Sequence, residues 1–256
     1  MRSCILPVYL TILAAGSLAL PARAAEHPGA LAAIQATATD DPSTLYAGRE
    51  DLSKARRAAD VWAAALKQNP KSFETACKLS MARYWLGNHV PEAERRQQYE
   101  QGIEAARAAI ALEPNKVEGH YWSSANMGMM AESFGILNGL KYRKPVREEA
   151  EKALKIDQGY RQGSAYRVLG RWYFKVPGLL GGSRDKSVEN LQKALSYNVN
   201  STVTSYFLAE TLLDMGKKAE ARAALQKVID APFDPEFTPE DKDWKAAARK
   251  LLPTIK

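Results

Sequence analysis

The sequence predicts an all-α fold of stacked helical hairpins, and three observations carry the prediction. A half-motif of small or apolar residues spaced four and then three apart recurs five times. It appears as Ala58-Trp62-Ala65, Gly102-Ala106-Ala109, Val146-Ala150-Ala153, Ser187-Leu191-Ala194 and Ala221-Leu225-Val228. A turn signal follows several of these blocks, with Pro70, Pro114 and Pro232 each placed to stop a helix. Between the blocks lie stretches of apolar residues at helical spacing. The clearest whole unit is Gly163–Val199, which reads Tyr166-x2-Leu169-Gly170-x2-Tyr173, a Pro/Gly turn, then Ser187-x3-Leu191-x2-Ala194.

A large residue followed by a small one where two helices cross is the spacing of a tetratricopeptide (TPR) unit. The fold expected is therefore a TPR-like helical-hairpin solenoid of about four to five helix pairs with a C-terminal capping helix. Five half-motifs in register make chance agreement a poor explanation.

Taken in order, residues 1–24 read as a cleaved signal peptide. Arg2 supplies the positive start, Leu10–Leu20 the apolar run, and Ala22-Arg23-Ala24 the cleavage site. The run is too short to span a bilayer, and Cys4 precedes it, where it cannot serve as a lipobox cysteine. The expectation is a periplasmic protein cut after about Ala24, with no membrane span left. Losing Arg2 and Arg23 takes the formal charge from +7 to +5, which suits anionic ligands or membrane surfaces. Cys77 then stands alone, so no intramolecular disulfide is expected, and a buried thiol packed as a small apolar group is.

Residues 25–48 form an N-terminal segment in which Asp40-Asp41-Pro42-Ser43 signals a turn or helix cap. The repeat domain is expected over 49–256. Its first helices are placed at Phe73–Leu86 (ended by a Gly87-Asn88 cap), Val117–Glu132, Ser164–Phe174 and Val203–Met215, with a final helix at Pro239–Leu252. They are spaced by about 40 residues where a regular TPR has 34. The excess is assigned to loops at His89–Arg95, Glu132–Pro145 and Pro177–Asp185.

Chemistry is less legible. The run Gly178–Ser187 has the glycines of a phosphate loop, but Asp185 stands where a Walker A sequence needs glycine, and no strand precedes it. The glycines read instead as a tight turn, with Ser183 capping the next helix. His27, His89 and His120 lack partners at metal-ligand spacing, so neither metal nor cofactor is expected. Glu148, Glu149, Glu151 and Asp157 read as a solvated helix face. No nucleophile elbow, metalloprotease helix or acid/base pair appears, and enzymatic activity is not expected. Trp62, Trp85, Trp122, Trp172 and Tyr173 read as inter-helix core. Phe134–Leu140, apolar but seven residues long, reads as a loop over a groove or a partner contact.

One arrangement points to binding. If each first helix is registered on Tyr121, Tyr166 and Ser205, the next residue and the one a turn later share a face. They are Trp122 and Asn126, Arg167 and Arg171, and Tyr206 and Glu210. Converging on a concave groove, they suit a polar or anionic ligand or a peptide carboxylate. The competing reading is an Arg171–Glu210 ion pair that pins neighbouring repeats together.

The runs ARYWLG (82–87), GHYW with Asn126 (119–126), AYRVLGRWYFKVPGLLGGS (165–183) and FLAETLLDMGKKAEA (207–221) carry a family likeness. Together they resemble the TPR-like T component associated with TRAP (tripartite ATP-independent periplasmic) transporters. A fainter similarity is to the regulator-of-microtubule-dynamics proteins of eukaryotes. The resemblance implies a periplasmic helical scaffold that works beside a solute-binding protein, forms oligomers, and holds a small apolar or organic-acid ligand. Two function classes stay open: a ligand- or partner-binding auxiliary of TRAP-type solute uptake, and a general protein-interaction scaffold in cell-envelope assembly unconnected with transport.

Overall fold

The computed structural model describes residues 41–256, which form one compact unit; the predicted signal peptide lies outside the described residues. Eleven α-helices and two short 3-10 turns make up the described chain, with no strand among them. Helices α1 (Pro42–Ala47) and α2 (Leu52–Gln68) come first. Four hairpins follow: α3 (Phe73–His89) with α4 (Glu92–Leu112), α5 (Val117–Ser133) with α6 (Gly135–Ile156), α7 (Tyr160–Lys175) with α8 (Arg184–Tyr197), and α9 (Thr202–Asp214) with α10 (Lys218–Asp230). Helix α11 (Thr238–Leu251) closes the chain. The expected TPR-like solenoid with its terminal capping helix is the architecture observed.

Helix starts are set by side chains that satisfy the free N–H groups of the first turn. Asp41 accepts from Ser43 and Thr44, Asp51 from Ser53, Ser72 from Thr75, and Ser201 from Thr204. Ser183 accepts from Lys186 N at 3.3 Å, as its place before α8 predicts. Gly182 in the preceding turn lies so close to Val176 O that a Cβ would stand 1.7 Å from it. Only glycine fits there.

The repeat positions are the core. Ala58, Trp62, Ala106, Ala109, Val146, Ala150, Ala153, Ser187, Leu191, Ala194, Ala221, Leu225 and Val228 are all buried. Small residues at these crossings let helix axes approach, and the large aromatics fill the space between hairpins. Helix α5 is the central element: every residue from Gly119 to Met127 is buried. Its sequence is correspondingly apolar or small all round, with no polar face. Cys77 packs with Ala76 and Ala109, and burial pushes its thiol up to about 12.

Two expected loops are helical. Helix α3 runs through Gly87-Asn88 to His89, because Gly87 is an inter-helix contact, its Cα facing the ring of Tyr99. Helix α4 starts at Glu92, so little of His89–Arg95 is loop. Most of Glu132–Pro145 forms about the first three turns of α6, which carries Pro145 inside it. Proline removes the N–H that would bond the Lys141 carbonyl. Lys141 is an exposed residue, so solvent can replace the lost donor at small cost. Pro177–Asp185 is the one insertion that stays mostly non-helical, around the 3-10 turn Gly178–Leu180.

The chain is closed end to end. After α10, Ala231–Phe237 and α11 return toward α1, α2 and α3. Arg49 donates from Nε and Nη2 to Glu240 and from Nη2 to Glu236 O at 3.0 Å. Lys242 pairs with Glu50 at 2.7 Å, and His89 Nε2 meets Asp243 at 2.9 Å. The buried Lys245 donates to the carbonyls of Val228, Ile229 and Ala231, ending α10 and fixing the chain that leaves it. The concave face of the solenoid thus becomes a chamber.

Candidate functional site

The chamber has a volume of about 770 Å³, within the range of small-molecule sites. Its floor comes from α3, α5 and α7 through Tyr84, Trp122, Met129, Val168 and Trp172, and its cover from Phe233, Phe237 and Trp244. Phe207 of α9 lies between, edge-on to Trp244 with ring centroids 5.2 Å apart. Aromatic faces at this density give an apolar body a large contact area at little entropic cost.

Five cations line the same space: Arg143, Arg161, Arg167, Arg171 and Lys175. Three are neutralised. Arg171 grips Glu132 with Nε and Nη2, both at 3.0 Å, and reaches Glu210 with Nη1. Burial alone would lower its pKa, but Glu132 and Glu210 outweigh burial and raise it. Lys175 shares Glu132 at 3.4 Å, and Arg161 pairs with Glu236 at 2.7 Å. Among the described residues, Arg143 and Arg167 meet only neutral oxygens: Arg143 donates to Leu180 O at 2.7 Å, and Arg167 reaches Thr204 Oγ1 at 3.5 Å. Their charge is available to an anion.

The predicted groove residues divide. Trp122, Arg167 and Arg171 line the chamber. Trp122 is edge-on to Tyr121 at 4.8 Å and lies under the Arg161 guanidinium at 5.3 Å. Glu210 serves Arg171, and Tyr206 packs its ring on Trp244 at 5.1 Å; neither lines the chamber. Asn126 is fully buried between hairpins, where its amide donates to Ser80 Oγ at 3.1 Å and to Trp122 O at 2.9 Å beside Gly102. Four residues along a helix is a rotation of about 40°. On α5, enclosed on all sides, that rotation carries a short amide under α3. On α7 the longer Arg171 side chain spans the difference.

Several lining residues escaped the sequence reading. Phe233 and Phe237 stand in what reads as a turn, and Glu132 and Arg143 in the expected insertion, whose position was the available signal. Ile136 and Leu140 belong to Phe134–Leu140, the segment expected over a groove or against a partner; they line the chamber, from a helix and not a loop. Arg161 and Gln162 left no signal. They and Gly163 form three successive left-handed residues at the head of α7, with φ of 43°, 60° and 72°. Such backbone is costly for residues with a Cβ. Here it aims Arg161 at Glu236 and Gln162 at Asp234 (2.8 Å), so the turn holds the returning chain over the chamber.

Glu149 is not part of a solvated face. It accepts from His120 Nδ1 at 2.5 Å and from Lys152 at 2.8 Å, while His120 Nε2 meets Pro114 O at 2.8 Å. Burial would raise the Glu149 pKa, but these bonds prevail and lower it. The pair ties α5 to α6. Among the described residues no group of His, Cys, Asp and Glu is placed to hold a metal ion, and no helix is long and apolar enough to cross a membrane.

A family model described as regulator of microtubule dynamics protein 1-3 matches residues 42–180, more than half of the chain. It is the fainter of the two likenesses in the sequence. Regulator of microtubule dynamics protein 3 of Xenopus laevis is 24% identical over 169 residues, which is 60% of this chain and 35% of the relative. The Rattus norvegicus protein of the same name is 24% identical over 176 residues, 62% of this chain and 36% of its own length. The chain spans about a third of the length of these curated relatives. Among solved structures, a thermophilic TPR protein of Thermus thermophilus superposes with a TM-score of 0.62 at 22% identity, covering 82% of this chain and 97% of that one. This likeness establishes the TPR fold.

Proposed function

The chain belongs to the regulator of microtubule dynamics protein 1-3 family, and from that membership we propose that it is a TPR-like binding protein whose chamber holds a small organic anion with an apolar body. What carries over from the relatives is the hairpin scaffold that the match covers. The supporting observation is local: Arg143 and Arg167 line an aromatic chamber of about 770 Å³, and no carboxylate among the described residues pairs with them. In a partly desolvated site such a cation attracts a carboxylate or phosphate strongly, and bidentate guanidinium geometry suits either group. The aromatic walls receive the rest of the molecule.

A small ligand is favoured over a peptide. A peptide lying along a TPR groove needs the groove open at both ends, and the returning chain at Pro232–Phe237 crosses it here. In its finer form the reading places the mature protein in the periplasm, as residues 1–24 suggest, where it serves a TRAP-type uptake system beside a solute-binding protein.

Native mass spectrometry of the purified mature chain tests the central claim. A bound mass of a few hundred daltons that disappears in Arg167→Leu, with the protein still folded, supports it. An empty wild-type chamber that also fails to take up fatty-acid or aromatic-acid probes defeats it.

A further inference from the structure

The rim of the chamber exposes an unusual amount of aliphatic surface. Ile136 and Leu137, in the first turn of α6, are 81% and 82% exposed, Leu140 is 50% exposed, and Leu179 in the 3-10 turn is 99% exposed. Ile136 and Leu140 also line the chamber, so they stand at its mouth. The patch is continuous. Ile136, Leu140 and Arg143 share one stripe of α6, and Arg143 binds Leu180 O at 2.7 Å, bringing the Leu179 turn against that stripe. Large aliphatic side chains gathered in this way on an exposed surface mark an interaction site.

The charge around them is one-sided. From Phe134 to Arg147 the sequence carries Lys141, Arg143, Lys144 and Arg147 and no carboxylate. The nearest acids in sequence are Glu132, held by Arg171 and Lys175, Glu148, 3.5 Å from Lys144, Glu149, held by His120 and Lys152, and Glu151, 2.7 Å from Arg147. Lys141 has no carboxylate partner among the described residues; its ammonium lies over the Tyr142 ring at 4.9 Å. Exposed aliphatics ringed by lysine are what a helix needs to sit in the headgroup layer of a bilayer, apolar side chains inward and ammonium groups on lipid phosphates.

We propose that this rim docks on an anionic lipid bilayer, with Ile136, Leu137, Leu140 and Leu179 entering the headgroup boundary and Lys141 and Lys144 facing lipid phosphate. Docked so, the chamber mouth faces the membrane. The docking does not require the chamber to hold an anion, so the two claims fail separately.

The test is co-sedimentation of the mature protein with vesicles of phosphatidylcholine alone and of phosphatidylcholine with phosphatidylglycerol. The wild type should partition onto the phosphatidylglycerol vesicles, at least about tenfold better than onto phosphatidylcholine, with release at high salt. Leu137→Asp with Leu179→Asp should abolish binding at unchanged helicity, because neither side chain is packed and an aspartate in a first helical turn is favourable. Lys141→Ala with Lys144→Ala should weaken binding about tenfold or more. Arg167→Leu, inside the chamber, should dock like the wild type. Equal binding to both vesicles, no binding to either, or binding unaffected by the leucine changes overturns the proposal. So does a wild-type dimer that Leu137→Asp dissociates with no vesicle binding, which would assign the face to a second copy of the chain.

Discussion

Arg49 and Glu240, 191 residues apart in sequence, face each other through a two-point ion pair that joins the turn between α1 and α2 to the last helix. The guanidinium is buried and lies 5.0 Å from the Tyr46 ring and 5.1 Å from that of Trp85. An open solenoid contacts only its neighbours along the stack. This one has a contact that no nearest-neighbour scheme contains, and the chamber exists because of it.

Glu240→Ala should therefore loosen the ring without unfolding the hairpins. Arg49 keeps the Glu236 carbonyl, and Glu240 is partly exposed, so the cost falls below that of breaking a fully buried pair, at about 1–3 kcal/mol. Hydrogen exchange is the decisive measurement. Amides of 232–244 should lose protection while those of α5 keep theirs. Uniform loss across the chain would show that closure is part of the core.

Arg167 and Arg171 occupy equivalent positions one turn apart on α7, yet they should respond oppositely to removal. Arg171→Leu strands Glu210 beside an apolar side chain, leaves Glu132 with Lys175 alone, and should cost about 2–4 kcal/mol. Arg167→Leu breaks a single 3.5 Å contact to Thr204 and should change stability by less than about 1 kcal/mol. Thermal melts of the two variants separate a structural cation from a ligand-facing one. Similar losses would place both in the network and remove the main support for an anion site.

The contrast also shows what the sequence made legible. Helical periodicity records which residues face a neighbouring hairpin, because burial constrains every turn in the same way. The half-motifs, the caps at Ser183 and Asp41, and the shared face of Trp122, Arg167 and Arg171 all follow from it. Periodicity says nothing of contacts made by one hairpin with a distant one. The Arg49–Glu240 closure, the cover formed by Phe233 and Phe237, and the His120–Glu149 pair are of that kind. The insertion Glu132–Pro145 misled in another way: Gly135, with φ of +78°, does break the chain between α5 and α6, but α6 then runs through Gly139 and Pro145, which suggest a loop.

Gly163 gives a backbone test. Its φ is +72°, and a Cβ there would stand 2.8 Å from Tyr197 Cδ2 and 3.2 Å from Ala194 Cα. Gly163→Ala combines an unfavourable dihedral with a clash against α8, and should cost at least about 2 kcal/mol by denaturant titration. The turn it ends also positions Arg161 and Gln162, so protection at 234–237 should fall with it. A variant as stable as the wild type would mean that the left-handed turn is readily exchanged for another.

The tyrosines supply a prediction in pH. Burial raises the phenols of Tyr46, Tyr84, Tyr99 and Tyr160 above their ordinary value, which is near 10. A group whose folded pKa is raised binds its proton longer in the native state than in the unfolded one. Its contribution is therefore complete below about pH 10, and it falls away as pH climbs toward the folded value. Four such groups should make stability decline steeply in alkali, with the unfolding midpoint in urea dropping between about pH 10 and 11. Ultraviolet titration should show these four phenols ionising only as the helices melt. Smooth ionisation of these four near pH 10, with the far-ultraviolet signal intact, would mean that their rings are open to solvent and that the chamber and hairpin interfaces are much looser than their packing implies.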